Sequence, residues 1–186
     1  MFALISLVLV FFLQGQSTPA DYNDAVAYEV YAAILPSEWP IRDKRAKQVV
    51  IRRETKAFPM CLKPDSESQS KVEPAISEYV KLNEKEWLLQ PKISLDRPYE
   101  FFGARQFEAL MRGEGKWDDY YRRYPDSGGL IELSAVGFNS NKTIGVVYMG
   151  HSCGPLCGGG TFYVLEKIEG KWKPIEWKGG SCAWAA

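Results

Sequence analysis

The chain has 186 residues, with 23 Lys and Arg against 23 Asp and Glu, 46% apolar residues, 13% aromatics, four cysteines and one histidine. That length suits one core better than two. Ordinary apolar and charged content excludes bulk disorder and a multispan membrane protein, zero net charge leaves no basic footprint for nucleic acid or anionic lipid, and a lone imidazole excludes HExxH zincins and three-histidine zinc centres.

Residues 2–13, FALISLVLVFFL, are an unbroken apolar run followed by small and polar residues. Spanning a bilayer takes roughly 20 apolar residues, so the run predicts a signal peptide over residues 1–20 rather than a transmembrane helix. Cleavage after Ala20 places Thr18 three positions back. An uncleaved anchor is the alternative. The expected product is a secreted or periplasmic protein with a single domain over residues 21–186 and no stable membrane span.

Apolar residues at Ala25, Val26, Tyr28, Val30, Tyr31, Ala33 and Ile34 predict a first helix over 21–35, stopped by Pro36. A β-like run starts at Gln48 and extends toward Thr55, and the chain then turns through Pro59. Residues 63–71, KPDSESQSK, read as a solvated connection. Pro74, taken as a first helical residue, opens a second helix carrying Ile76, Tyr79, Val80, Leu82 and Trp87 and ending before Pro91. Residues 93–102 are expected to be extended, with short helices over 106–111 and 117–124.

From Leu130 the pattern changes to β-branched and aromatic runs between turn signals. Residues 130–138, 143–149, 161–168 and 172–177 predict four consecutive strands, with a glycine-loaded tip at 153–160. The strand over 144–149 is apolar on both faces, which predicts a central position covered by helices on one side. The fold class is therefore α+β, with N-terminal helices packed on a C-terminal antiparallel β-meander of about four strands.

An exported chain with four thiols is expected to form two bridges. Three pairings are possible. Cys153 with Cys157 and Cys61 with Cys182 is the expected set, because two cysteines four positions apart in a glycine-rich turn can meet without distortion elsewhere. In the chain-entropy model the short loop contributes about 2 kcal/mol and the loop over 61–182 about 5 kcal/mol.

WDDYYRRYP at 117–125, LSAVGFN at 133–139, VVYMGHSCGPLCGGGTFYVLEK at 146–167 and GKW at 170–172 together resemble a family of exported bacterial proteins with no assigned activity. The resemblance covers about a third of the chain and implies a secreted or periplasmic protein. The GKW hairpin is also similar to the last strands of cone-shaped NTF2-like domains, a fold analogy that carries no function.

The densest chemical feature is His151, Cys153 and Cys157 followed by Gly158-Gly159-Gly160. In the favoured reading the cysteines form a structural disulfide and the glycines supply positive φ angles. A second reading makes the pair redox-active, although CxxxC between strands lacks the helix N-terminus that stabilises a thiolate. A third lets the sulfurs, His151 and Met149 hold a soft metal such as Cu(I), or zinc with a fourth ligand from Cys61 or Cys182. The glycines could cradle an anion, but the run lacks the Gly-Lys-Ser/Thr ending of a P-loop.

A His151–Cys157 nucleophile is disfavoured by oxidation, and serine chemistry lacks GxSxG. Asp118, Asp119 and Glu100 lie beside aromatic residues, as carboxylates of a glycosidase would. Helix-dipole compensation and the nearby Arg122 account for Asp118 and Asp119 without catalysis. Trp172, Trp177 and Trp184 are candidates for an exposed contact patch. Asn141-Lys142-Thr143 is a glycosylation sequon, meaningful only in a eukaryotic secretory route.

The sequence therefore predicts an exported, non-catalytic module that binds an unknown protein or small ligand through its meander and disulfide-bearing tip. It assigns no cofactor, metal or catalytic residue. A periplasmic thiol-redox or soft-metal site at His151, Cys153 and Cys157 is the first alternative, and a small carboxylate-dependent hydrolase the second.

Overall fold

The structure is a computed structural model that describes residues 18–37, 46–66, 68–176 and 183–186. The apolar run at 2–13 lies outside the described residues. In chain order the elements are α1 (Ala25–Ile34), β1 (Gln48–Arg52), α2 (Gln69–Leu82), β2 (Tyr99–Phe102), α3 (Ala104–Arg112) and α4 (Lys116–Arg123). They continue with β3 (Ser127–Leu133), β4 (Gly137–Phe138), β5 (Ile144–Gly154), β6 (Cys157–Ile168), β7 (Lys171–Pro174) and β8 (Trp184–Ala185).

The strands form one eight-stranded sheet in the order β2-β1-β3-β5-β6-β7, with β4 added to β5 and β8 to β6. Pairing is mostly antiparallel, but β1 runs parallel to both β2 and β3. A four-strand meander over N-terminal helices therefore understates the sheet. The β5–β6–β7 meander is present, while β1 and β2 precede it in the chain and interleave with the helices. Parallel partners need long crossovers. The chain from β1 to β2 contains α2, and the chain from β2 to β3 contains α3 and α4.

β5 is buried from Ile144 to Gly150 because helices cover it on both faces, not one. Side chains alternate across a strand, so Val147 and Met149 join Ile131, Leu133 and Leu165 under α1. Ile144, Val146 and Tyr148 join Phe162 and Val164 under α2. Farther along that second face, α3 and α4 cover Val50, Phe102 and Leu130 with Tyr120, Tyr124 and Trp117. α1 starts where the Asp24 side chain accepts from Val26 N at 3.1 Å, and it buries Ala27, Val30, Tyr31 and Ile34 on one stripe.

α2 begins at Gln69, before the expected start, so Pro74 lies inside the helix. Asp65 Oδ1 accepts from Ser68 N at 2.8 Å and Ser68 Oγ at 2.7 Å, which organises the start. Val72 then completes the buried stripe of Ala75, Ile76 and Tyr79. The helix stops at Leu82 rather than running to Pro91. Trp87 instead leaves it, donating from N to Thr55 Oγ1 at 2.9 Å and from Nε1 to Leu82 O at 2.9 Å.

The expected strand over 130–138 is split into β3 and β4 by a bulge at 134–136. Ser134 Oγ accepts from Tyr148 N at 2.9 Å, taking a place in the ladder. The freed backbone is satisfied by side chains from both layers. Tyr31 Oη donates to Ser134 O at 2.7 Å, Val136 N donates to Tyr22 Oη at 2.9 Å, and Asn83 binds both Ala135 N and Ala135 O. Burial pushes the Tyr22 and Tyr31 phenols above their ordinary range, so both remain protonated donors.

Candidate functional site

β5 and β6, of 11 and 12 residues, are the longest strands of the sheet and form one hairpin. Residues 143–165 contain no Asp, Glu, Lys or Arg, so this arm is built from apolar, hydroxyl and glycine residues with His151 as its only ionisable imidazole. Ser152 pairs with Gly158 and Gly154 with Cys157, leaving Cys153 as the extra residue of a bulge and Pro155-Leu156 as the turn. Cys153 and Cys157 are joined by a disulfide with a Cα–Cα distance of 5.0 Å. Tyr121 Oη from α4 donates to Cys153 O at 2.9 Å, tying the tip to the body. Leu156 is 86% exposed at the turn.

The expected tip over 153–160 shrinks to Pro155-Leu156, because β5 runs on to Gly154 and β6 starts at Cys157, and the glycines correct it in a second way. Gly158, Gly159 and Gly160 are strand residues, and none has a positive φ; among the described glycines only Gly129 and Gly170 do. What excludes side chains there is crowding. A Cβ on Gly160 would lie 2.1 Å from Tyr148 Oη and 2.7 Å from Trp184 Nε1, and one on Gly158 would lie 2.9 Å from His151 O. β8 pairs with this segment through Gly159–Ala185 and Gly160–Trp184, and Ala186 N donates to Gly158 O at 3.0 Å. The triplet thus lets the Trp184 ring lie against the strand on the α2 face. Because the triplet's backbone serves these ladders, an anion cradle gains no support.

On the opposite face the same glycines leave a hollow. Gly159 forms its floor, Ala183 and Ala185 line the β8 side, and His151 lines the β5 side, its Cε1 3.2 Å from where a Gly159 Cβ would stand. Cys153, Leu156 and Cys157 close the tip end and Thr161 contributes to the other, around a volume of about 520 Å³. That size is in the range of small-ligand sites, roughly 300 to 1,000 Å³. Burial holds the His151 pKa below its usual 6.5, so the ring is neutral at pH 7. The side chains lining the hollow are therefore uncharged and mostly apolar, with an imidazole and a hydroxyl as polar handles, and the Ala186 backbone joins them.

The structure brings His151, Cys153 and Cys157 together in this lining. With the two sulfurs bonded to each other, neither is a thiolate in this form. Met149, the other candidate soft ligand, is buried under α1. Among the described residues no group of three or more His, Cys, Asp or Glu could hold a metal ion. Cys61 is also disulfide-bonded, and Cys182 lies outside the described residues. Trp172 is a core residue packed on Phe138, whereas Trp184 is 37% exposed; Trp177 lies outside the described residues.

The candidate hydrolase carboxylates do not meet in this hollow. Asp119 pairs with Arg122 in the first turns of α4, where Asp118 also lies. Glu100, on β2, accepts from Gln48 Nε2 at 2.7 Å. A separate cleft of about 360 Å³ does hold Glu54, Glu86 and Glu108, with Pro19, Arg52, Ala104 and Arg105. Each of its carboxylates is engaged: Glu54 accepts from Ala104 N at 2.7 Å, Glu86 pairs with Arg52 at 2.8 Å, and Glu108 pairs with Arg112 at 3.6 Å.

Leu156, Thr161, Ala183 and Ala185 were not singled out from the sequence. The charge-free run through 143–165 was the available signal for Leu156 and Thr161, and Ala183 and Ala185 lie outside it. No protein-family model, curated protein or solved structure matches the chain. No helix among the described residues is long and apolar enough to cross a membrane.

Proposed function

We propose that the protein is an exported binding module whose ligand, a small uncharged molecule or an apolar side chain of a protein partner, sits in the hollow beside the β5–β6 tip. The observation that carries this is the open hollow of about 520 Å³ over Gly159, bounded by His151, the Cys153–Cys157 disulfide and β8. Preorganisation supports it. The disulfide, the Tyr121 hydrogen bond and the β8 pairing hold the walls, so little ordering is required on binding. Leu156 and Trp184 beside it are exposed apolar side chains of the kind that anchor interfaces.

Export is supported by the apolar run at 2–13 and by the bonded state of Cys61, Cys153 and Cys157. The resemblance to exported bacterial proteins agrees with a periplasmic or secreted location. A photocrosslinking residue substituted at Leu156 in the full chain, produced in an export-competent bacterium, is expected to give a discrete adduct. The same residue at Glu169, in the β6–β7 turn, is expected to give none. Equal labelling at both positions, or none at either, would count against a site at the tip.

A second reading rests on the same disulfide. Cys153 and Cys157 are partly exposed and line the hollow beside His151, an arrangement open to thiol–disulfide exchange with a dithiol partner. Measuring the Cys153–Cys157 reduction potential separates the readings. A value near those of thiol oxidoreductases favours exchange, and a much more negative one favours a structural staple.

A further inference from the structure

Two bonds near the end of the apolar run satisfy the preference for small residues at the first and third positions before a signal-cleavage site. Cleavage after Ala20 uses Thr18 and Ala20. Cleavage after Ser17 uses Gly15 and Ser17, both small. The fold distinguishes these bonds, because the three residues between them are not equivalent to a discarded tail.

Leu88 N donates to Ala20 O at 2.8 Å, and Tyr22 N donates to Leu88 O at 2.8 Å, so Ala20 and Tyr22 hold Leu88 from both sides across Asp21. Leu88 in turn bridges to Glu54, just beyond β1, so the segment is joined to the edge of the sheet. Tyr22, two residues beyond Ala20, is 4% exposed and supplies the hydroxyl that binds Val136 N in the bulge. Pro19 forms part of the wall of the cleft shared by Arg52, Glu54, Glu86 and Arg105. Cleavage after Ala20 would delete Pro19 and the Ala20 carbonyl, leaving Leu88 N without its acceptor and the cleft without that wall. Cleavage after Ser17 keeps both.

We infer that the processed bond is Ser17–Thr18, cut by an export peptidase that selects small side chains, and that the mature chain begins at Thr18. Water adds across this amide, leaving a carboxylate on Ser17 of the released leader and an ammonium on Thr18. The new ammonium is adjacent in sequence to Pro19, at the rim of a cleft with three carboxylates and two arginines, a balance that favours a positive chain end.

This inference rests on the export reading. The test is N-terminal sequencing, with intact mass, of the untagged full chain recovered from the periplasmic fraction of a Gram-negative host. A chain beginning at Thr18 is the expected result. A chain beginning at Asp21, or at any other internal residue, would overturn the inference and leave export standing. Recovery only as the cytosolic chain starting at Met1 would overturn export and this inference together. As a second measurement, chains made to begin at Thr18 and at Asp21 should differ in Tm, the longer being higher by about 3 °C for one lost hydrogen bond. Equal values would remove the structural ground for preferring Ser17–Thr18.

Discussion

Trp184 donates from Nε1 to the Tyr148 hydroxyl at 2.8 Å, joining the last strand to the centre of the sheet across Gly160. The contact is possible only because position 160 has no side chain. Gly160→Ala should therefore destabilise the protein by about 3 kcal/mol, since the Cβ meets a fixed hydroxyl and a strand-borne indole rather than a flexible chain end. Gly154→Ala, whose Cβ would stand 3.3 Å from Cys157 Cβ, should cost less than about 1 kcal/mol. Urea unfolding of the two variants measures the contrast.

Asn83 ends α2 and binds three backbone groups, Tyr79 O at 2.8 Å, Ala135 N at 2.9 Å and Ala135 O at 3.1 Å. Asn83→Ala leaves the bulge at 134–136 unsatisfied and should cost about 2 to 3 kcal/mol. Asn83→Asp should recover only part of this, because a carboxylate accepts from Ala135 N but cannot donate to the two carbonyls. Thermal unfolding of both variants checks the order.

The His151 pKa is lowered by burial, which sets the sign of a pH effect. Just below pH 6.5 the unfolded chain binds the proton more readily than the folded one. Stability from the neutral ring is therefore complete above pH 6.5 and is lost as pH falls toward the folded pKa. The difference in unfolding free energy between the natural chain and His151→Gln should shrink or reverse between pH 7.5 and pH 5.0. A difference independent of pH would show that folding does not lower the His151 pKa.

The Cys153–Cys157 disulfide closes a five-residue loop within an already paired hairpin. Replacing both with Ala should cost about 2 kcal/mol at most in the chain-entropy model. It should loosen the tip without unfolding the sheet, because β5 and β6 remain paired from Ile144 to Gly158. Hydrogen exchange is expected to speed up at 152–158 and to stay unchanged at 145–149.

Much of this architecture was legible from local pattern. α1 follows its apolar stripe, β5 its unbroken apolar run, and the Cys153–Cys157 bond its spacing. What was not legible depends on distant partners. The parallel pairing of β1 with β2 and β3 leaves no short-range signature. Pro74 marked a helix start by propensity, yet the Asp65–Ser68 turn and the burial of Val72 carry the helix farther back. Trp87 fits the helical period but is drawn out by Thr55. The glycine triplet suggested a turn with positive φ angles because nothing nearby in sequence announces that Trp184 and Tyr148 require the space. For the same reason the tip was found from its cysteines, while the Gly159 floor and the Ala183 and Ala185 wall of the hollow were not.

The most direct test of binding at the tip is an NMR titration of the ¹⁵N-labelled protein with indole, an uncharged ring sized for the hollow. Saturating shifts should appear at 158–161, at 183–186 and at the His151 ring, and Ala183→Trp, which fills the hollow, should abolish them. Shifts confined to a separate groove, lined by Tyr28 and Trp172, or shifts that persist in Ala183→Trp, would contradict a binding site beside the β5–β6 tip.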